Sequence, residues 1–532
     1  MNPQLTRSWR KASLNAWCIV AVAVICTTFN GGISVGASNH AGLLPVVRRI
    51  LDPNYLPNDF NVGLRLYHHR TFAYLLAGLS KLLGEDFAVI TLHGIGALLL
   101  ATALWYLCVT LRLSLLSYLA LGAALATGFL WTGWGLEEND FIGNPEIQPP
   151  IFAHTFALFA AALLMQRRYQ LAAFCAGCVI FFHLQIGVIV TLMIAPLFVG
   201  HVIKLPYLPS NLLKLAGCYL LPAAPALWHL SGMLQRGLLK PAASAVSLAE
   251  YIDFRHPHHF ALMSLTHALW VTAHLIVLSS LWLWMRKRKD TMTHAVSVMT
   301  VMSLTLGVLS LLHFSDYYLI RQDKFANLQS IRVSPLITVF GTTALLIGLQ
   351  RLTQNKIWLV IGLHCLFIAA AIWWGVRGTQ HPDARFHFGV TRYRDLSDKR
   401  GIRKQWIEMC NWIRINGARD TVYLTPPAYD GFTTLADRSN VAEFKINPDG
   451  ALHLSEWYER LTDLTGGKLP HERGLDNREP LNKAYGALNA DQFIALSNKY
   501  HAAFAVVPKS AKLPFTIQYE NERFKLVKLV SD

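Results

Sequence analysis

Two aspartates in the first long polar stretch of the sequence are candidates for acid–base chemistry. Asp52 precedes Pro53, and Asp59 follows Asn58 in the same stretch. A carboxylate can accept the proton of an attacking hydroxyl group, so we predict that one of the two is a catalytic base, with Asp59 favoured. Each also has a structural interpretation, because Asp before Pro often begins a turn and Asp can cap a helix.

Three more carboxylates, Glu137, Glu138 and Asp140, lie within four residues of one another. Like charges at this spacing repel one another unless a cation or a basic group lies between them. We therefore predict that they bind an acceptor, or a divalent cation such as Mg²⁺ or Mn²⁺. Glu146 needs no such role, because it precedes Pro149 at a predicted helix start, where the helix dipole favours a carboxylate.

Basic residues that suit an anion lie in two other polar stretches. The stretch "DFRHPHHF" contains Arg255, His256, His258 and His259. We predict that Arg255, His256 and His258 bind a phosphate, with the arginine as the forked donor; zinc is the competing interpretation of the histidines. Arg332, just before an apolar run, is predicted to bind a lipid phosphate, or else to extend towards lipid headgroups.

The composition places these residues in a membrane protein. The 532-residue chain is 53% hydrophobic and 15% charged, whereas soluble domains carry about 25% charged residues. We predict a mainly α fold, a polytopic membrane helix bundle of about 11 spans followed by a soluble α/β domain. The apolar runs lie near residues 14–30, 87–109, 114–132, 151–166, 171–183, 185–200, 211–232, 262–285, 292–313, 335–349 and 356–376.

The Lys/Arg bias sets the predicted orientation, with the N-terminus in the cytoplasm and the C-terminal domain outside. This orientation requires a break within "FFHLQIG". As one helix, the 30 residues 171–200 would span about 45 Å, which is longer than the hydrocarbon core of a bilayer. Residues 66–84 are then predicted to form an amphipathic helix at the outer face or a re-entrant one. Polar groups within apolar runs are expensive in lipid, so His154, His183 and Gln185 are predicted to line a cavity.

The domain boundary is predicted at residue 377. Residues 1–377 form the membrane module, with a long first outer loop at 31–86, and residues 378–532 form an α/β domain with strands at "TVYLT", "AAFAVV" and "FKLVKLV". Of the 48 Lys/Arg and 32 Asp/Glu, 22 and 19 lie after residue 377, which leaves 26 and 13 in the membrane module. This excess of positive charge favours contact with anionic lipids and not with nucleic acid.

The carboxylates of the membrane module are distributed unevenly in the predicted topology. Twelve of its 13 Asp/Glu residues fall outside, and only Asp290 falls inside. Asp and Glu contribute little to orientation, so this asymmetry is independent of the Lys/Arg bias. Longer outer loops are one explanation, and chemistry at the outer face is the other.

Several motifs resemble those of a known superfamily. The stretches "LLPVVRRILDPNYLPNDF", "NPEIQPPIFAH", "FRHPHH" and "YLTPPAYDGFTTLADRSNVAEFK" are similar to those of a group of largely uncharacterised bacterial multi-pass membrane proteins. The layout as a whole resembles the GT-C superfamily of integral membrane glycosyltransferases. The resemblance implies a polyprenyl-phosphate- or pyrophosphate-linked sugar donor used at the outer face of the bacterial inner membrane.

The resemblance also implies residue roles. Asp59, with Asp52 as its substitute, corresponds to the acidic residue of the first outer loop that acts as base or orients a metal. Arg332 and Arg255 correspond to the arginine that binds the lipid phosphate. Metal dependence stays open, because Asn58–Asp59 replaces a D-x-D or E-x-D pair.

We therefore predict a glycosyltransferase of the cell envelope that transfers a sugar to a glycan, lipid or protein acceptor. A polysaccharide polymerase or ligase that uses lipid-linked glycans is the first alternative, in which the Arg/His cluster acts and Asp59 is dispensable. A transporter or flippase is the second, although transporters usually contain inverted repeats and the two halves of this sequence show no internal similarity.

Overall fold

The structure is a computed structural model that divides by its contacts into two compact units. The helical unit comprises Met1–Ile33, Ile90–Leu227 and His258–Val390, and the mixed unit comprises Ser34–Val89, Trp228–Pro257 and Thr391–Asp532. The described residues are 3–29, 31–36, 39–65, 69–128, 145–203, 208–238, 247–261, 265–321, 325–352, 356–377, 389–392, 402–449 and 452–529.

Helices dominate the chain up to residue 377. They are α1 Pro3–Phe29, α2 His40–Leu51, α3 Phe60–Leu64, α4 Arg70–Leu83, α5 Glu85–Thr110, α6 Leu115–Ala126, α7 Pro149–Met165, α8 Tyr169–Phe182, α9 Leu184–Val202, α10 Leu208–Gln235, α11 Leu248–Arg255, α12 Pro257–Phe260, α13 Leu265–Lys287, α14 Thr293–Ser315, α15 Pro335–Leu352 and α16 Ile357–Arg377. Each of the predicted apolar runs coincides with one of these helices, so the predicted helical membrane fold is confirmed.

Within the described residues, seven helices are long and apolar enough to cross a membrane, fewer than the predicted 11 spans. Helices α6, α7 and α8 are apolar but shorter, and α10 is not among the candidates. Within the predicted amphipathic segment 66–84, Arg70–Leu83 form α4, which is not among the candidate spans. Residues 66–68 lie outside the described residues. Phe72 and Leu76 of α4 are buried, whereas Leu82 is exposed. This two-sided pattern is the one expected of an amphipathic helix.

The predicted break within 171–200 is confirmed. Helix α8 ends at Phe182 and α9 begins at Leu184, with His183 in an extended conformation between them. The His183 Nδ1 atom accepts a hydrogen bond from the Ile186 N–H at 3.3 Å and so caps α9. Glycine at position 187 permits the close approach, because a Cβ atom there would lie 2.7 Å from the Cα atom of Ile180.

Three of the predicted cytoplasmic segments lie at one end of the helical unit. Arg351, in the last turn of α15, forms an ion pair of 3.2 Å with Asp290 in the turn between α13 and α14. The neighbouring Gln350 donates to the Arg112 carbonyl and accepts from the Ser114 N–H, each at 3.1 Å, in the turn between α5 and α6. These contacts bring the basic turns together, as the Lys/Arg bias predicts.

Small side chains form much of the core of the helical unit. Helix α7 packs against α8, and Ala153, Ala157 and Ala161 on α7 are fully buried. Their spacing of four residues places them on one helix face. Small residues let helix backbones approach closely, which stabilises helix pairs within a bilayer.

The C-terminal part of the mixed unit is an α/β domain, as predicted. Its strands form one sheet in the order β4-β3-β5-β7-β6, with β3 parallel to β4 and β5, and β7 antiparallel to β5 and β6. The elements after residue 389 are β2 Val390–Arg392, α17 Ile402–Asn416, β3 Val422–Leu424, α18 Phe432–Ala436, β4 Ser439–Asn440, α19 Leu454–Leu464, α20 Arg478–Gly486, α21 Ala490–Tyr500, β5 Ala502–Pro508, β6 Thr516–Glu520 and β7 Phe524–Lys528.

The three strands predicted from the sequence are β3, β5 and β7, which lie side by side. Trp406 of α17, Phe432 of α18 and Phe524 of β7 are fully buried against this sheet. A short strand β1, Ile33–Val35, pairs with β2 in a separate two-stranded sheet. Strand β4 has only two residues, too few for a sequence pattern to indicate a strand.

Candidate functional site

Arg332 lies in a short 3₁₀ turn directly before α15. Its Nη1 atom donates to Gln185 Oε1 at 3.3 Å and to Gln329 Oε1 at 3.2 Å. The ring of His154 contacts the same turn, with Nε2 3.1 Å from the Arg332 carbonyl oxygen and Nδ1 2.9 Å from the Pro150 carbonyl oxygen. We call Arg332, Gln185, Gln329 and His154 the Arg332 cluster.

The Arg332 cluster joins the N-terminal ends of three helices. Gln185 is the second residue of α9, His154 lies in the first two turns of α7, and Arg332 precedes α15. A helix N-terminus carries a partial positive charge, although the prolines that begin α7 and α15 have no N–H to donate. The three ends together with the guanidinium therefore make this region of the helical unit favourable for an anion.

Two predicted cavity residues, His154 and Gln185, thus meet the predicted phosphate binder Arg332. His183, the third, is buried directly before α9 and caps it. Burial, and after it the positive charge of Arg332, lower the pKa of the His259 imidazole well below its ordinary value.

Asp316 is a member of this region that the sequence interpretation did not single out. Its Oδ2 atom accepts from the N–H groups of Phe325 and Ala326 at 2.6 and 3.1 Å, ahead of the Arg332 turn. Gln185 Nε2 donates to the Asn327 carbonyl oxygen in the same segment at 2.9 Å. The segment that presents Arg332 is thus held by side chains on both sides, a contact pattern that no local motif indicates.

Asp59, the favoured base, is buried in the mixed unit with 3% exposure. Oδ1 accepts from the Val62 N–H at 2.8 Å, and Oδ2 accepts from the Asn440 N–H at 3.1 Å and the Thr433 hydroxyl at 3.2 Å. Burial raises the pKa of its carboxyl, and these hydrogen bonds oppose the rise. Asp59 therefore caps α3 and joins that helix to Thr433 of α18 and to Asn440 of β4.

Glu443 is a second buried carboxylate in the same network, and the sequence interpretation did not select it. It accepts from the Gly431 N–H at 2.8 Å and from Asn440 Nδ2 at 3.1 Å, with the Thr433 N–H at 3.4 Å. Thr433 and Asn440 consequently contact both Asp59 and Glu443. Burial raises the pKa of Glu443 to about 8.

Arg255 and His256 contact the segment that follows Glu443. Arg255 is 4% exposed, and its Nε and Nη2 atoms each donate, at 2.9 Å, to the carbonyl oxygens of Phe444 and Lys445. Burial lowers the pKa of Arg255 to about 10. His256 Nε2 lies 3.4 Å from the Asn447 side-chain oxygen. Arg255 thus uses two of its donors on backbone carbonyls.

The remaining candidates are not brought together in the part of the chain that is described. Asp52 is exposed and accepts from the Asn54 N–H at 2.9 Å, as in a turn. The side chain of His258, and all of Glu137, Glu138 and Asp140, lie outside the described residues. Among the described side chains, no three His, Cys, Asp or Glu residues form a group suited to a metal ion.

The "PPAYDGF" stretch lies in the mixed unit as a turn that leads into α18. The Tyr429 N–H donates to the Pro426 carbonyl oxygen at 3.4 Å, and Gly431 has a φ of 83°, a conformation that favours glycine. Asp430 Oδ2 accepts from Arg478 Nη2 at 2.7 Å.

Comparison with known proteins yields limited similarity. Residues 404–464 match a family described as a domain of unknown function, DUF6798. No curated protein matches the chain. The chain is similar to the crystal structure of ArnT from Cupriavidus metallidurans bound to undecaprenyl phosphate, with 11% identity, a TM-score of 0.46 and 98% of each chain covered. A similarity at this level shows neither the family of the chain nor a ligand that it binds.

Proposed function

We propose that this protein is a membrane glycosyltransferase. It would move a sugar from a polyprenyl-phosphate- or pyrophosphate-linked donor to a glycan, lipid or protein acceptor at the outer face of the bacterial inner membrane. The observation that carries the proposal is Arg332 among the N-termini of α7, α9 and α15. A charged residue within a helical membrane unit is costly and usually functional.

The chemistry of such a transfer matches what the Arg332 cluster offers. The bond that breaks joins the sugar to a phosphate, which leaves with its negative charge and needs no strong acid. An arginine can bind phosphate through two parallel N–H donors, and positive charge on the departing oxygen stabilises the transition state. In our proposal Arg332 binds the donor phosphate, and Gln185 and Gln329 orient its guanidinium.

The contacts of Arg255 and Asp59 also hold the segments around them in place. Arg255 binds the Phe444 and Lys445 carbonyls, and Asp59 caps α3 and binds Asn440. Asp59 stays the base that the family resemblance favours, with Asp52 as its substitute. Glu137, Glu138 and Asp140 stay candidates for acceptor or metal binding.

The test of the donor site is Arg332→Ala, with Arg332→Lys as the partial replacement. Transfer from a polyprenyl-phosphate-linked sugar is measured in membranes at equal protein levels. Loss of a donor to developing charge costs roughly 10²–10³ in rate, so we expect at least a hundredfold loss for alanine and a smaller loss for lysine.

Arg351→Ala is the matched control. Arg351 is also a half-buried arginine at an end of α15, but it pairs with Asp290 at the opposite end of that helix. It should retain transfer within about threefold, since an ion pair of this kind contributes little. Transfer by Arg332→Ala at the wild-type rate would remove Arg332 from the donor site.

A polysaccharide ligase is the second candidate, and the engaged carboxylate of Asp59 favours it because that reaction would not depend on Asp59 as base. Asp59→Asn and the exposed Asp52→Asn separate the two functions. Abolished transfer with unchanged thermal stability in Asp59→Asn supports the glycosyltransferase with Asp59 as base. Activity that falls only in proportion to stability supports the ligase.

A further inference from the structure

A cavity of about 390 Å³ lies in the helical unit, where α7 connects to α8. The end of α9 contributes His201, and the start of α10 contributes Asn211 and Leu215. The C-terminal end of α7 faces this cavity, whereas its N-terminal end contacts Arg332. The described residues that line it are Arg167, Arg168, Tyr169, Gln170, Leu171, His201, Asn211 and Leu215.

The polar lining of this cavity suits an anion. Its described lining contains two arginines and no Asp or Glu, and neither Arg167 nor Arg168 forms a salt bridge within the part of the chain that the structure describes. Gln170 and Leu171 belong to the first turn of α8, and Arg168 at its N-cap makes no side-chain capping bond. The first N–H groups of that helix therefore lack intrahelical partners and point in the direction of the cavity.

The surroundings of the cavity suit an apolar tail. Leu171, Val199, Ile203 and Leu212 lie on the elements that form it and are 51%, 57%, 73% and 54% exposed. Tyr169 stacks on His201 with parallel rings 3.4 Å apart at their centroids. A ligand here would place its charged group against the arginines and its hydrocarbon along exposed apolar helix surface. That combination distinguishes a phospholipid from free phosphate.

The cavity also lies at the end of the helical unit that carries the basic turns. Arg167 is close enough to His294, near the start of α14, to act on it electrostatically. The Arg351–Asp290 pair joins the turn before α14 to the end of α15. The Lys/Arg bias predicts that this end faces the cytoplasm, where anionic lipids attract basic residues.

We infer that this cavity binds the phosphodiester headgroup of an anionic phospholipid, with its acyl chains along α8, α9 and α10. Arg167 and Arg168 contact the phosphate, and the N-terminus of α8 adds backbone donors. The site is separate from the donor site proposed at Arg332, because the two lie at opposite ends of α7. It serves to anchor the helical unit to the lipid surface, and it stands whether or not the proposed transferase activity does.

The test is lipid binding to the purified full-length protein after delipidation in detergent. Native mass spectrometry measures binding of phosphatidylglycerol and of phosphatidylcholine. We expect the wild type to prefer phosphatidylglycerol. In Arg167→Gln/Arg168→Gln, binding of this lipid should be weaker by roughly tenfold or more, because each arginine near an anionic headgroup adds to the affinity. Arg286→Gln/Arg288→Gln is the matched control at the same end of the helical unit. These arginines lie over the rings of Trp282 and Trp284 and do not belong to the described lining of the cavity, so binding should fall clearly less than in Arg167→Gln/Arg168→Gln.

A second variant separates binding from folding. Gln170→Glu places a carboxylate at the cavity in the first turn of α8, where the helix dipole favours it. Its thermal stability should equal or exceed that of the wild type, while phosphatidylglycerol binding falls. Any of three results would overturn the proposal. The control pair could lose as much phosphatidylglycerol binding as Arg167→Gln/Arg168→Gln, Gln170→Glu could bind the lipid like the wild type, or inorganic phosphate at equal concentration could displace the lipid.

Discussion

At the scale of single residues, the buried carboxylates Asp59 and Glu443 share hydrogen-bond donors. Thr433 offers its hydroxyl to Asp59 and its N–H to Glu443, whereas Asn440 offers its N–H to Asp59 and its side-chain amide to Glu443. Two buried carboxylates with shared donors repel each other when both are ionised. Protonation of one of them is therefore coupled to the stability of this network.

Glu443 should make stability depend on pH. Burial raises its folded pKa to about 8 from the ordinary 4.5, so the folded protein binds this proton more tightly than the unfolded chain. The contribution is full below about pH 4.5 and is lost as pH rises towards 8. We expect the wild-type melting temperature, relative to Glu443→Gln, to fall by about 4 °C or more between pH 5 and 8.

The comparison with Glu443→Gln isolates this one group. Asp59 and Asp430, which act on Glu443 electrostatically, are present in both proteins, so effects that do not depend on the Glu443 carboxyl largely cancel in the difference. Thermal unfolding in detergent, followed by intrinsic fluorescence, gives the two profiles. Parallel profiles across this pH range would show that Glu443 does not change its proton binding on folding.

At the scale of elements, the break between α8 and α9 positions the Arg332 cluster. The break allows α9 to begin at the level of the N-terminal ends of α7 and α15, so that Gln185 reaches Arg332. A continuous helix would carry its second half further along the same axis. The close approach at Gly187 is part of this geometry, because the Ile180 backbone occupies the space that a side chain would need.

Gly187→Ala should therefore destabilise the helical unit. Its Cβ atom would lie 2.7 Å from the Cα atom of Ile180, and accommodating such an atom in a packed core costs about 1–3 kcal/mol. Gly200→Ala, in the same helix, is the matched control, since its Cβ atom would meet nothing within 4 Å. The control should be neutral, or more stable by up to about 1 kcal/mol through helix propensity.

The thermal stability of both variants is measured as the fraction of monodisperse protein that remains after heating in detergent. A lower midpoint for Gly187→Ala, with Gly200→Ala at or above the wild type, is the expected result. Equal midpoints for the two variants would mean that α8 and α9 can move apart at Gly187 without loss of stability.

At the scale of the whole molecule, the mixed unit is assembled from distant parts of the chain. Its sheet is C-terminal, but Asp59 and Arg255 come from the two earlier segments and bind Asn440 and the Phe444–Lys445 carbonyls. Backbone bonds add to this, since the Asp449 N–H donates to the Leu64 carbonyl oxygen at 2.9 Å. The C-terminal segment thus depends on residues encoded hundreds of positions earlier.

Residues 389–532 expressed alone should accordingly be less stable than the same residues in the full chain. The isolated segment leaves the Asn440 N–H and the Phe444 carbonyl without Asp59 and Arg255, and each buried unsatisfied group costs about 1–3 kcal/mol. Domains are stable by only about 5–15 kcal/mol. We expect trypsin to cleave after Arg438 and Lys445 much faster in the segment than in the full chain; equal rates would show that the segment folds independently.

The sequence by itself determined the helices and three of the strands. Apolar runs, the polar break at His183 and alternation in β3, β5 and β7 are local patterns, and local patterns reflect the side-chain periodicities of helices and strands. It also indicated that Arg332, Gln185 and His154 lie in a polar environment, because such groups are expensive in lipid.

Only the tertiary structure decided which polar residues meet. Asp59 and Asn440 are 381 positions apart, and neither Glu443 nor Asp316 belongs to a motif that indicates its partners. Hydrogen bonds of this kind depend on directions and distances that are set by the packing of whole elements. The order of residues along the chain does not contain this information. The sequence therefore indicated that Asp59 is a carboxylate of interest. It did not indicate that three hydrogen-bond donors contact this carboxylate.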